Sequence, residues 1–437
     1  MTVLVHCASL QSREQVFIQH SGPLYEAHDK ENAAGFLDNT AQLGPTAYRQ
    51  SGDQKPRRKP DNLYQVRGRG ERPGEKRIGF IDQTGNLVIG FDRLPKKTLY
   101  VGEFYEGRAV INLEREEKDE PTGNPGYKAG YIDETGRIII AARFAYAQDF
   151  SEGLAYVVTK DFRGFIDRDG KLAIRVEGAP KGEFHEGLAA VASIKGGEWG
   201  YIDRSGRMVI KQQYSLADDF SEGLAAVAVD RKKYGFINRK GEMVISPRFV
   251  PRALGFEWKP KFELGRFSEG LARVYQEGSP YGVYGYVDRK GNFVIPPRFI
   301  AAKDFSEGLA WVVETDQRTG EEKVGWIDKS GRWEITRLDG RSRGALVRAS
   351  VGTGVEGIAW KYSEGLAPFF FYSRDYRAQW GYMDHTGKVI IEPREYQSVD
   401  PFRGGLARVS FYSGADRTRL YPFGYIDKTG KLIWRSD

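Results

Sequence analysis

The stretch WGYIDRSGRMVI at residues 199–210, followed by DFSEGLAAVA at residues 219–228, decides the fold of this 437-residue chain. In the first stretch an aspartate stands three residues before a glycine, between two runs of β-branched and aromatic side chains. An aspartate side chain opens such a turn and a glycine at positive φ closes it, so the stretch predicts a β-hairpin. In the second stretch, Glu222-Gly223 predicts a turn and Leu224-Ala225 begins a third strand.

Both stretches recur along the chain. The Gly-aromatic-Ile-Asp core, with small variations, begins at Gly79, Gly130, Gly164, Gly200, Gly235, Gly285, Gly325, Gly381 and Gly424. The Phe-Ser-Glu-Gly-Leu-Ala segment, again with variations, begins at Phe104, Phe150, Phe184, Phe220, Phe267, Phe305, Tyr362 and Phe402. One three-stranded copy is too small to bury its own apolar face, so successive copies must stack and share a core.

The sequence therefore predicts an all-β protein, with about nine three-stranded antiparallel β-meander repeats that form a solenoid-like superhelix over residues 61–437. The alternative is a β-propeller-like closed ring. Propeller blades usually carry four strands, and the clear repeats begin and end with a hairpin, so no strand exchange that would seal a ring is evident. A strand at residues 62–66 would weaken this argument.

Residues 1–60 form an irregular N-terminal region in this interpretation. Within it, GFLDNTAQL at residues 35–43 echoes residues 79–87, which suggests a degenerate capping repeat of the kind that often ends repeat arrays. Ala41 stands where the turn glycine is expected, and a residue with a side chain is strained at positive φ. Both interpretations stay open.

Composition excludes several classes of protein. The chain has no apolar run near the roughly 18 residues that a membrane helix needs, so we expect no transmembrane segment. Cys7 is its one cysteine, which excludes an intramolecular disulfide, and with five histidines it makes a zinc site improbable. We expect no cofactor. The N-terminus lacks the pattern of a secretory signal, which favours a cytoplasmic protein; a different start site that hides an export signal stays open.

Positive charge is concentrated before the first repeat. Residues 51–77 hold nine Lys/Arg against four Asp/Glu, a net of +5 within the chain's formal +7. Arg57, Arg58 and Lys59 lie at the centre of this basic segment, which could contact nucleic acid, lipid or an acidic protein through charge. A solvated loop without a partner is the simpler interpretation.

The repeated residues carry a resemblance. Trp199-Gly200-Tyr201-Ile202-Asp203 and Trp380-Gly381-Tyr382-Met383-Asp384, with the Phe-Ser-Glu-Gly-Leu-Ala segments between such hairpins, resemble WG repeats, also called KWG repeats, over residues 78–437. Other copies replace the namesake tryptophan, as Ile78 and Tyr234 do. The resemblance implies a bacterial protein with a binding or scaffolding surface, and no catalytic residue transfers with the motif.

Two columns of charged residues follow from the repeat. The first is acidic and is broken by Gly404: Glu106, Glu152, Glu186, Glu222, Glu269, Glu307 and Glu364. The second is basic: Arg143, Arg248, Arg298 and Arg394. The acids could bind a cation or a basic partner, and the arginines could bind an anionic polymer. We favour structural roles, with the acids accepting N–H bonds in their own turns or pairing with the arginines.

Insertions between the repeats are the best candidate binding surface, because equivalent loops of stacked repeats emerge on one face. Trp258 lies in the insertion at residues 251–266 and belongs either to an exposed aromatic patch or to a lid on the core. Arg341, Arg343 and Trp360 lie in the insertion at residues 336–361, which could hold a phosphate or carboxylate but matches no phosphate-binding loop.

No residue pattern supports catalysis. His185 and His385 occupy variant positions of the structural motifs, and no nucleophile elbow or dinucleotide fingerprint is present. We therefore expect a non-enzymatic scaffold that presents its loops to an unidentified protein or polymer partner. The alternative function is an anionic-ligand binder that uses the basic segment and the arginine column, with nucleic acid, lipid or acidic glycan as ligand. The sequence leaves the oligomeric state open.

Overall fold

The structure, a computed structural model, describes residues 62–69, 76–116, 126–178, 180–194, 197–254, 261–277, 282–316, 318–336, 361–372, 378–412 and 422–436. In these ranges the secondary-structure elements are β-strands, so the predicted all-β class is confirmed. The same ranges contain no helix with the length and hydropathy to cross a membrane.

The units share one strand pattern, although the described residues include no lead strand in units 1 and 8 and only a single bridge, Pro180 to Val191, in unit 4. A short lead strand ends in the Glu-Gly turn, after which come the Leu-Ala strand and the central strand with its Gly-aromatic motif. The Asp turn then connects the central strand to the trailing strand. All neighbouring strands of a unit pair antiparallel. The three predicted strands are present in every unit, and the lead strand is an addition that the sequence analysis missed.

The first five units contain eighteen strands. Unit 1 holds β1 (Tyr64–Arg69), β2 (Lys76–Ile81) and β3 (Leu87–Ile89). Unit 2 holds β4 (Thr98–Val101), β5 (Arg108–Glu114), β6 (Tyr127–Asp133) and β7 (Ile138–Phe144). Unit 3 holds β8 (Tyr146–Ala147), β9 (Ala155–Val158), β10 (Arg163–Ile166) and β11 (Leu172–Arg175). Unit 4 holds β12 (Leu188–Ala192), β13 (Trp199–Asp203) and β14 (Met208–Tyr214), and unit 5 holds β15 (Leu216–Ala217), β16 (Leu224–Ala228), β17 (Tyr234–Asn238) and β18 (Met243–Phe249).

The remaining strands follow the same order after a separate hairpin of β19 (Arg252–Leu254) and β20 (Lys261–Glu263). Unit 6 holds β21 (Phe267–Ser268), β22 (Leu271–Gln276), β23 (Val283–Val287) and β24 (Phe293–Ala302). Unit 7 holds β25 (Ala310–Thr315), β26 (Glu322–Ile327) and β27 (Trp333–Thr336), and unit 8 holds β28 (Ala367–Tyr372), β29 (Ala378–Met383) and β30 (Val389–Val399). Unit 9 holds β31 (Leu406–Phe411), β32 (Phe423–Asp427) and β33 (Leu432–Arg435).

In units 7 and 9 the lead strand is a continuation of the preceding trailing strand. The long strand β24 pairs with β23 in its own unit and, farther along, with β25 in unit 7. Strand β30 likewise pairs with β29 and with β31. Units 6 and 7, and units 8 and 9, are therefore joined by a shared strand as well as by side-chain packing.

The Asp turn is built as the sequence predicts. In unit 2, Asp133 Oδ1 accepts N–H bonds from Thr135 and Arg137 at 2.9 and 3.0 Å. Gly136 donates its own N–H to Asp133 O at 2.9 Å and has a φ of +79°. A Cβ at Gly136 would lie 2.8 Å from Ile89 Cγ2 in unit 1. The glycine therefore serves both the turn and the close packing of consecutive units.

The core lies in the contacts between consecutive units, which we call joints. At each joint an aromatic ring of the central strand packs on the ring that precedes the next Glu-Gly turn. The centroid distances lie between 4.8 and 6.2 Å for Phe80–Phe104, Tyr131–Phe150, Phe165–Phe184, Tyr201–Phe220, Phe236–Phe267, Tyr286–Phe305, Trp326–Tyr362 and Tyr382–Phe402. Such tilted ring pairs add stability beyond the area they bury.

The antiparallel order gives every unit two different ends. Glu-Gly turns and Asp turns lie at one end, the turn end. The connection from the Leu-Ala strand to the central strand lies at the opposite end, the loop end, and so does the passage toward the next lead strand. The insertions at residues 251–266 and 336–361 therefore attach at the loop end, as predicted for loops at equivalent positions.

Candidate functional site

The glutamates of the Glu-Gly turns hold the units together. Each carboxylate accepts a backbone N–H from the Glu-Gly turn of the following unit, as Glu152 Oε2 does from Gly187 and Glu222 Oε2 does from Gly270, both at 2.9 Å. The same bond links Glu106 to Gly153, Glu186 to Gly223, Glu269 to Gly308, Glu307 to Gly365 and Glu364 to Gly405. The predicted structural role is correct, but the bond crosses the joint instead of closing the residue's own turn.

These glutamates adopt a backbone conformation that residues with side chains rarely adopt, with φ between +51° and +56°. The left-handed conformation costs a residue with a Cβ roughly 1 kcal/mol. A charge-assisted hydrogen bond to backbone N–H offsets that cost. The carboxylate bond across the joint therefore explains why glutamate, and not glycine, occupies this position.

Several of these carboxylates also contact a basic side chain from the Asp turn of the following unit. The closest nitrogen–oxygen distances are 2.8 Å for Arg168–Glu106, 3.2 Å for Lys329–Glu269, 3.4 Å for His385–Glu307 and 3.3 Å for Lys428–Glu364. The sequence analysis missed this basic column, although a basic residue after the turn Asp in several copies was a visible signal.

The arginines of the basic column predicted from the sequence bind glycine carbonyls of the next unit, and not the glutamates. Arg143, Arg298 and Arg394 donate to the carbonyl oxygens of the next unit's Asp-turn glycines at distances of 2.7–2.9 Å, and Arg248 makes the same bond to Gly291. The expected pairing with the acidic column is therefore not observed. These guanidinium groups are committed to joints, which argues against the anion-binding role offered as the alternative for them.

Units 9 and 1 also contact each other. The ring of Tyr425, on the central strand of unit 9, lies 5.4 Å from the ring of Tyr64 in β1. Tyr64 donates its hydroxyl to the carbonyl oxygens of Arg403 and Gly404, both at 2.7 Å, and Tyr425 donates to Gln65 O at 2.9 Å. Burial, followed by the charge of Glu364, raises the pKa of Tyr64 to about 12, so its hydroxyl remains a donor at neutral pH.

Three departures from the repeat meet at this 9–1 joint. Tyr64 stands where the other units have the Ala of Leu-Ala, Gly404 stands in the acidic column, and Arg403 stands at the Ser position. A Cβ at Gly404 would lie 2.5 Å from the Tyr64 hydroxyl. Arg403 Nη1 reaches Glu103 Oε2 in unit 2 at 3.2 Å. Glycine interrupts the acidic column at position 404 because a larger residue there would collide with Tyr64.

A charged cluster links lead-strand residues of units 4, 5 and 6. Asp218 Oδ1 lies 2.7 Å from Lys181 Nζ and 3.8 Å from Arg266 Nη2. Asp219, only 5% exposed, lies within 3.8 Å of Arg266 and 3.6 Å of His185 Nε2. Burial raises the pKa of Asp218, but the two cations outweigh it and lower the pKa to about 2. No pattern in the sequence indicated this cluster, because the residues before the repeat's Phe vary between copies.

A family model describes the repeat. The model of the WG containing repeat matches residues 130–161, 199–232, 234–250, 284–316 and 380–411. The chain therefore contains WG repeats. Most of the WG matches span a joint described above, because each begins at or near a central strand and four of the five end at or shortly after the next Leu-Ala strand. No curated protein matches the chain.

Solved structures resemble the WG-repeat array only distantly. BamB from Moraxella catarrhalis matches with 11% identity and a TM-score of 0.34, over 80% of this chain and 97% of that chain. The β-propeller domain of the Trilobed protease from Pyrococcus furiosus matches with 11% identity and a TM-score of 0.35, over 77% of this chain and 94% of that domain. Similarity at this level carries no argument about ring closure or activity.

The candidate binding residues predicted from the sequence all lie outside the described residues. They are Arg57, Arg58, Lys59, Trp258, Arg341, Arg343 and Trp360. The predicted capping segment at residues 35–43 lies outside them as well. For Trp258 the flanking structure is described: β19 and β20 pair as a hairpin at the loop end of the WG repeats.

An ion-pair network anchors the base of that hairpin. Arg273 donates to Glu263 Oε1 at 2.6 Å and to Asp304 Oδ1 at 3.1 Å, and Arg252 bonds the hydroxyl of Tyr284. Burial opposes the charge of Glu263, but Arg273 outweighs it and holds the pKa of Glu263 below its usual range. The network fixes the direction in which the hairpin leaves the WG-repeat array.

The described ranges hold no cluster of three or more His, Cys, Asp or Glu residues that could bind a metal ion. Among the histidines, His185 is part of the buried cluster beside Asp219. His385 stacks on the ring of Tyr362 with a centroid distance of 4.1 Å. Both therefore occupy joints between WG repeats.

Proposed function

We propose that this protein is a non-enzymatic interaction scaffold whose nine units close into a propeller-like ring. In this proposal the loop end binds a protein partner, and the turn end maintains the ring. The observation that carries the proposal is a difference between the two ends of the units. Repeated polar groups at the turn end are engaged in joints, whereas the connections at the loop end differ in length and sequence from one unit to the next.

Ring closure is supported by the 9–1 joint. The Tyr425–Tyr64 ring contact takes the place of the Tyr–Phe contacts found between consecutive units. The packing of an Asp-turn glycine on the preceding unit is also repeated, since a Cβ at Gly85 would lie 2.9 Å from Ile433 Cγ2. A solenoid-like superhelix would leave the two end units apart.

Cross-linking tests the ring. Cysteines introduced as Glu103→Cys and Arg403→Cys, in a Cys7→Ser background, replace a charge pair whose closest atoms lie 3.2 Å apart. We expect a short bismaleimide to link them within one chain in high yield at low protein concentration. Each single-cysteine variant is the control, and the absence of an intramolecular product would favour an open array.

The functional face is tested by comparing two variants in native cell extract. One shortens loop-end connections by replacing residues 337–360 and 413–421 with short Gly-Ser linkers. The matched control, Lys240→Glu with Lys290→Glu, alters exposed cations of the turn end. We expect a defined set of proteins to be recovered with the wild type and the control, and lost with the loop variant. Loss with the control alone would refute the assignment of the faces.

Heparin retention provides a further outcome of that comparison. Salt-dependent retention that disappears on deletion of residues 51–77 would favour an anionic ligand over a protein partner, because binding through phosphate or sulfate charge weakens steeply with salt. Turnover of a substrate by the purified chain would contradict the non-enzymatic assignment.

A further inference from the structure

The connection between β16 and β17, at the loop end of unit 5, contains a strained residue. Arg231 has a φ of +61°. Among the described residues, it is the only one with a side chain that adopts a positive φ outside the Glu-Gly turns. The comparable connections of units 4 and 7 have glycines, Gly197 and Gly320, each with a φ of +69°. Glycine adopts this conformation without strain, so the backbone alone would favour glycine at position 231.

Within the described ranges, no contact of the Arg231 side chain offsets this strain. The glutamates of the Glu-Gly turns adopt the same conformation, and their carboxylates accept a backbone N–H across a joint, as Glu222 does from Gly270. Arg231 is exposed, and its guanidinium group makes no hydrogen bond or ion pair in these ranges. Backbone strain is concentrated at functional sites. The strain therefore indicates a role for this side chain outside the fold.

Hydrogen bonds hold the backbone of the connection in place. Arg231 donates its N–H to Ser215 Oγ at 2.9 Å. Asp230 Oδ1 accepts the N–H groups of Lys232 and Lys233 at 3.0 and 3.3 Å. These two bonds lower the pKa of Asp230, so its carboxylate is charged and engaged with its own turn. The connection is therefore a preformed loop, which loses little conformational entropy on binding.

The loop presents cations beside an apolar side chain. Arg231, Lys232 and Lys233 are exposed, and none of their side chains takes part in an ion pair or hydrogen bond within the part of the chain that the structure describes. Val229 is 61% exposed, and Ile194, in the equivalent connection of unit 4, is 50% exposed. These are the two highest values among the large hydrophobic side chains of the described residues. Such a surface is complementary to a ligand that combines negative charge with apolar groups.

We propose that the loop at residues 229–233 is a docking site for an acidic segment of a partner protein. Carboxylates of that segment pair with Arg231, Lys232 and Lys233, and one of its apolar side chains packs on Val229. A guanidinium group binds a carboxylate through two parallel hydrogen bonds, which explains an arginine at the strained position. The proposal rests on the proposed function, since it places one contact of the loop-end partner on unit 5 and specifies its chemistry.

A protein segment fits this loop better than nucleic acid does. The loop carries three Lys/Arg against one Asp, a net of +2 within five residues, which is too short a track to follow a phosphate backbone. Single strands also stack their bases on aromatic side chains, and residues 229–233 contain none. An exposed valine beside the cations suits an apolar side chain next to carboxylates.

A synthetic peptide tests the site on the full chain. The probe is the fluorescein-labelled peptide Ser-Gly-Glu-Asp-Leu-Glu-Asp-Gly-Ser, and its control replaces each Glu by Gln and each Asp by Asn. In anisotropy titrations at low salt, we expect the probe to bind at least tenfold more tightly than the control. Salt at about 0.3 M should remove most of that difference, because it screens exposed charges.

Two double variants remove the same number of cations from opposite ends of the units. Lys232→Ala with Lys233→Ala changes the loop, and Lys240→Ala with Lys290→Ala changes exposed residues of the turn end. We expect the loop variant to weaken binding of the probe at least fivefold and the turn-end variant to leave it unchanged. Equal weakening by both variants, or equal binding of the uncharged control peptide, would overturn the docking site.

Arg231→Gly separates binding from folding. Glycine relieves the strain, so the melting temperature should not fall, whereas the affinity for the probe should fall at least threefold. A lower melting temperature at unchanged affinity would mean that Arg231 serves the fold, and would overturn the proposal.

Two further results would separate this site from other assignments. Tighter binding of a short oligothymidylate than of the probe, lost in the same loop variants, would assign the loop to nucleic acid and overturn the protein partner. If the peptide ignores the loop but the variant shortened at residues 337–360 and 413–421 still loses its proteins, the proposed function stands and only this docking site fails.

Discussion

The eight joints between consecutive units and the 9–1 joint use the same packing with different polar bonds. A ring pair is present at all of them, with centroid distances from 4.8 Å for Tyr382–Phe402 to 6.2 Å for Trp326–Tyr362, and 5.4 Å for Tyr425–Tyr64. Across consecutive units from unit 2 onward, a glutamate bonds the next turn, whereas Gly404 provides no carboxylate at the 9–1 joint. The comparison shows that every joint contains an aromatic ring pair, whereas the polar groups that form hydrogen bonds differ between joints.

The exchange has a physical reason. Along the chain, a covalent connection already links consecutive units, and in two cases they share a strand, so the glutamate adds to an existing link. Units 9 and 1 have no such connection, and their joint must form from two surfaces that meet without a shared strand. Tyrosine suits this task because its ring packs and its hydroxyl bonds a carbonyl at the same time.

The largest expected effect compares the two kinds of ring contact. Phe220→Ala removes a ring that is 2% exposed between units 4 and 5, and should cost about 3–5 kcal/mol of unfolding free energy. Tyr64→Ala should cost less than half as much, because Tyr64 is half-buried and its loss leaves the other eight joints intact. Urea unfolding followed by tryptophan fluorescence measures both values. Equal losses would mean that the 9–1 joint is as important to stability as the others.

The second effect concerns the acidic column. Glu222→Ala removes the acceptor of Gly270 N–H but keeps the strained backbone, so we expect a loss of about 1–3 kcal/mol. Glu222→Gly relieves the strain and should lose less. The reciprocal change, Gly404→Glu, restores the repeat pattern yet should destabilise the 9–1 joint, because its Cβ would meet the Tyr64 hydroxyl. Hydrogen exchange of β1 measures the last effect, and slower exchange in Gly404→Glu would contradict it.

Low pH should destabilise the joints between consecutive units and the 9–1 joint alike. Ser205 and Arg207 hold the pKa of Asp203 well below its usual range, and turn hydrogen bonds lower the pKa of Asp82 and Asp427, on either side of the 9–1 joint. A carboxyl with a lowered folded-state pKa contributes stability above its unfolded pKa of about 3.9, and the contribution is lost as pH falls. We expect stability to fall steadily as the pH is lowered from about 5.

One turn provides a control for that experiment. Asn238 accepts the same two backbone N–H bonds without a charge, from Lys240 and Glu242 at 3.0 Å. Asp203→Asn should therefore keep the turn but reduce the acid sensitivity, so that wild type and variant converge in stability at low pH. A stability difference that stays constant between pH 7 and pH 3 would show that the charge of Asp203 contributes nothing.

Local chemistry explains how much of the fold the sequence could predict. The Asp turns, their glycines and three strands of each unit depend on residues within one copy, and all were predicted. The lead strands were missed because they are short and vary in sequence, as Tyr146-Ala147 and Leu216-Ala217 do. The bond from each glutamate to the next unit was also missed, since the spacing within a copy contains no information about which turn faces it.

The contacts of the 9–1 joint, like the glutamate bonds, could not be predicted from the sequence of a single copy. Tyr64, Arg403 and Gly404 each departed from the repeat, and each could be interpreted alone as a degenerate end of an array. Their common purpose appears only when residues more than 300 positions apart are brought together. The loop-end residues Trp258 and Arg341, which the sequence favoured as binding residues, remain predictions.

The smallest expected effect separates attraction from packing at the 9–1 joint. The Arg403–Glu103 pair is more than one-third exposed on both sides, and exposed pairs contribute about 0–1 kcal/mol. Glu103→Arg and Arg403→Glu should each accelerate hydrogen exchange in β1 slightly, and the double exchange should restore it, because the opposite charges meet again. Salt at 0.5 M should remove the difference between the variants. Failure of the double variant to recover would mean that Arg403 acts through its packing on unit 1, with Glu103 as a bystander.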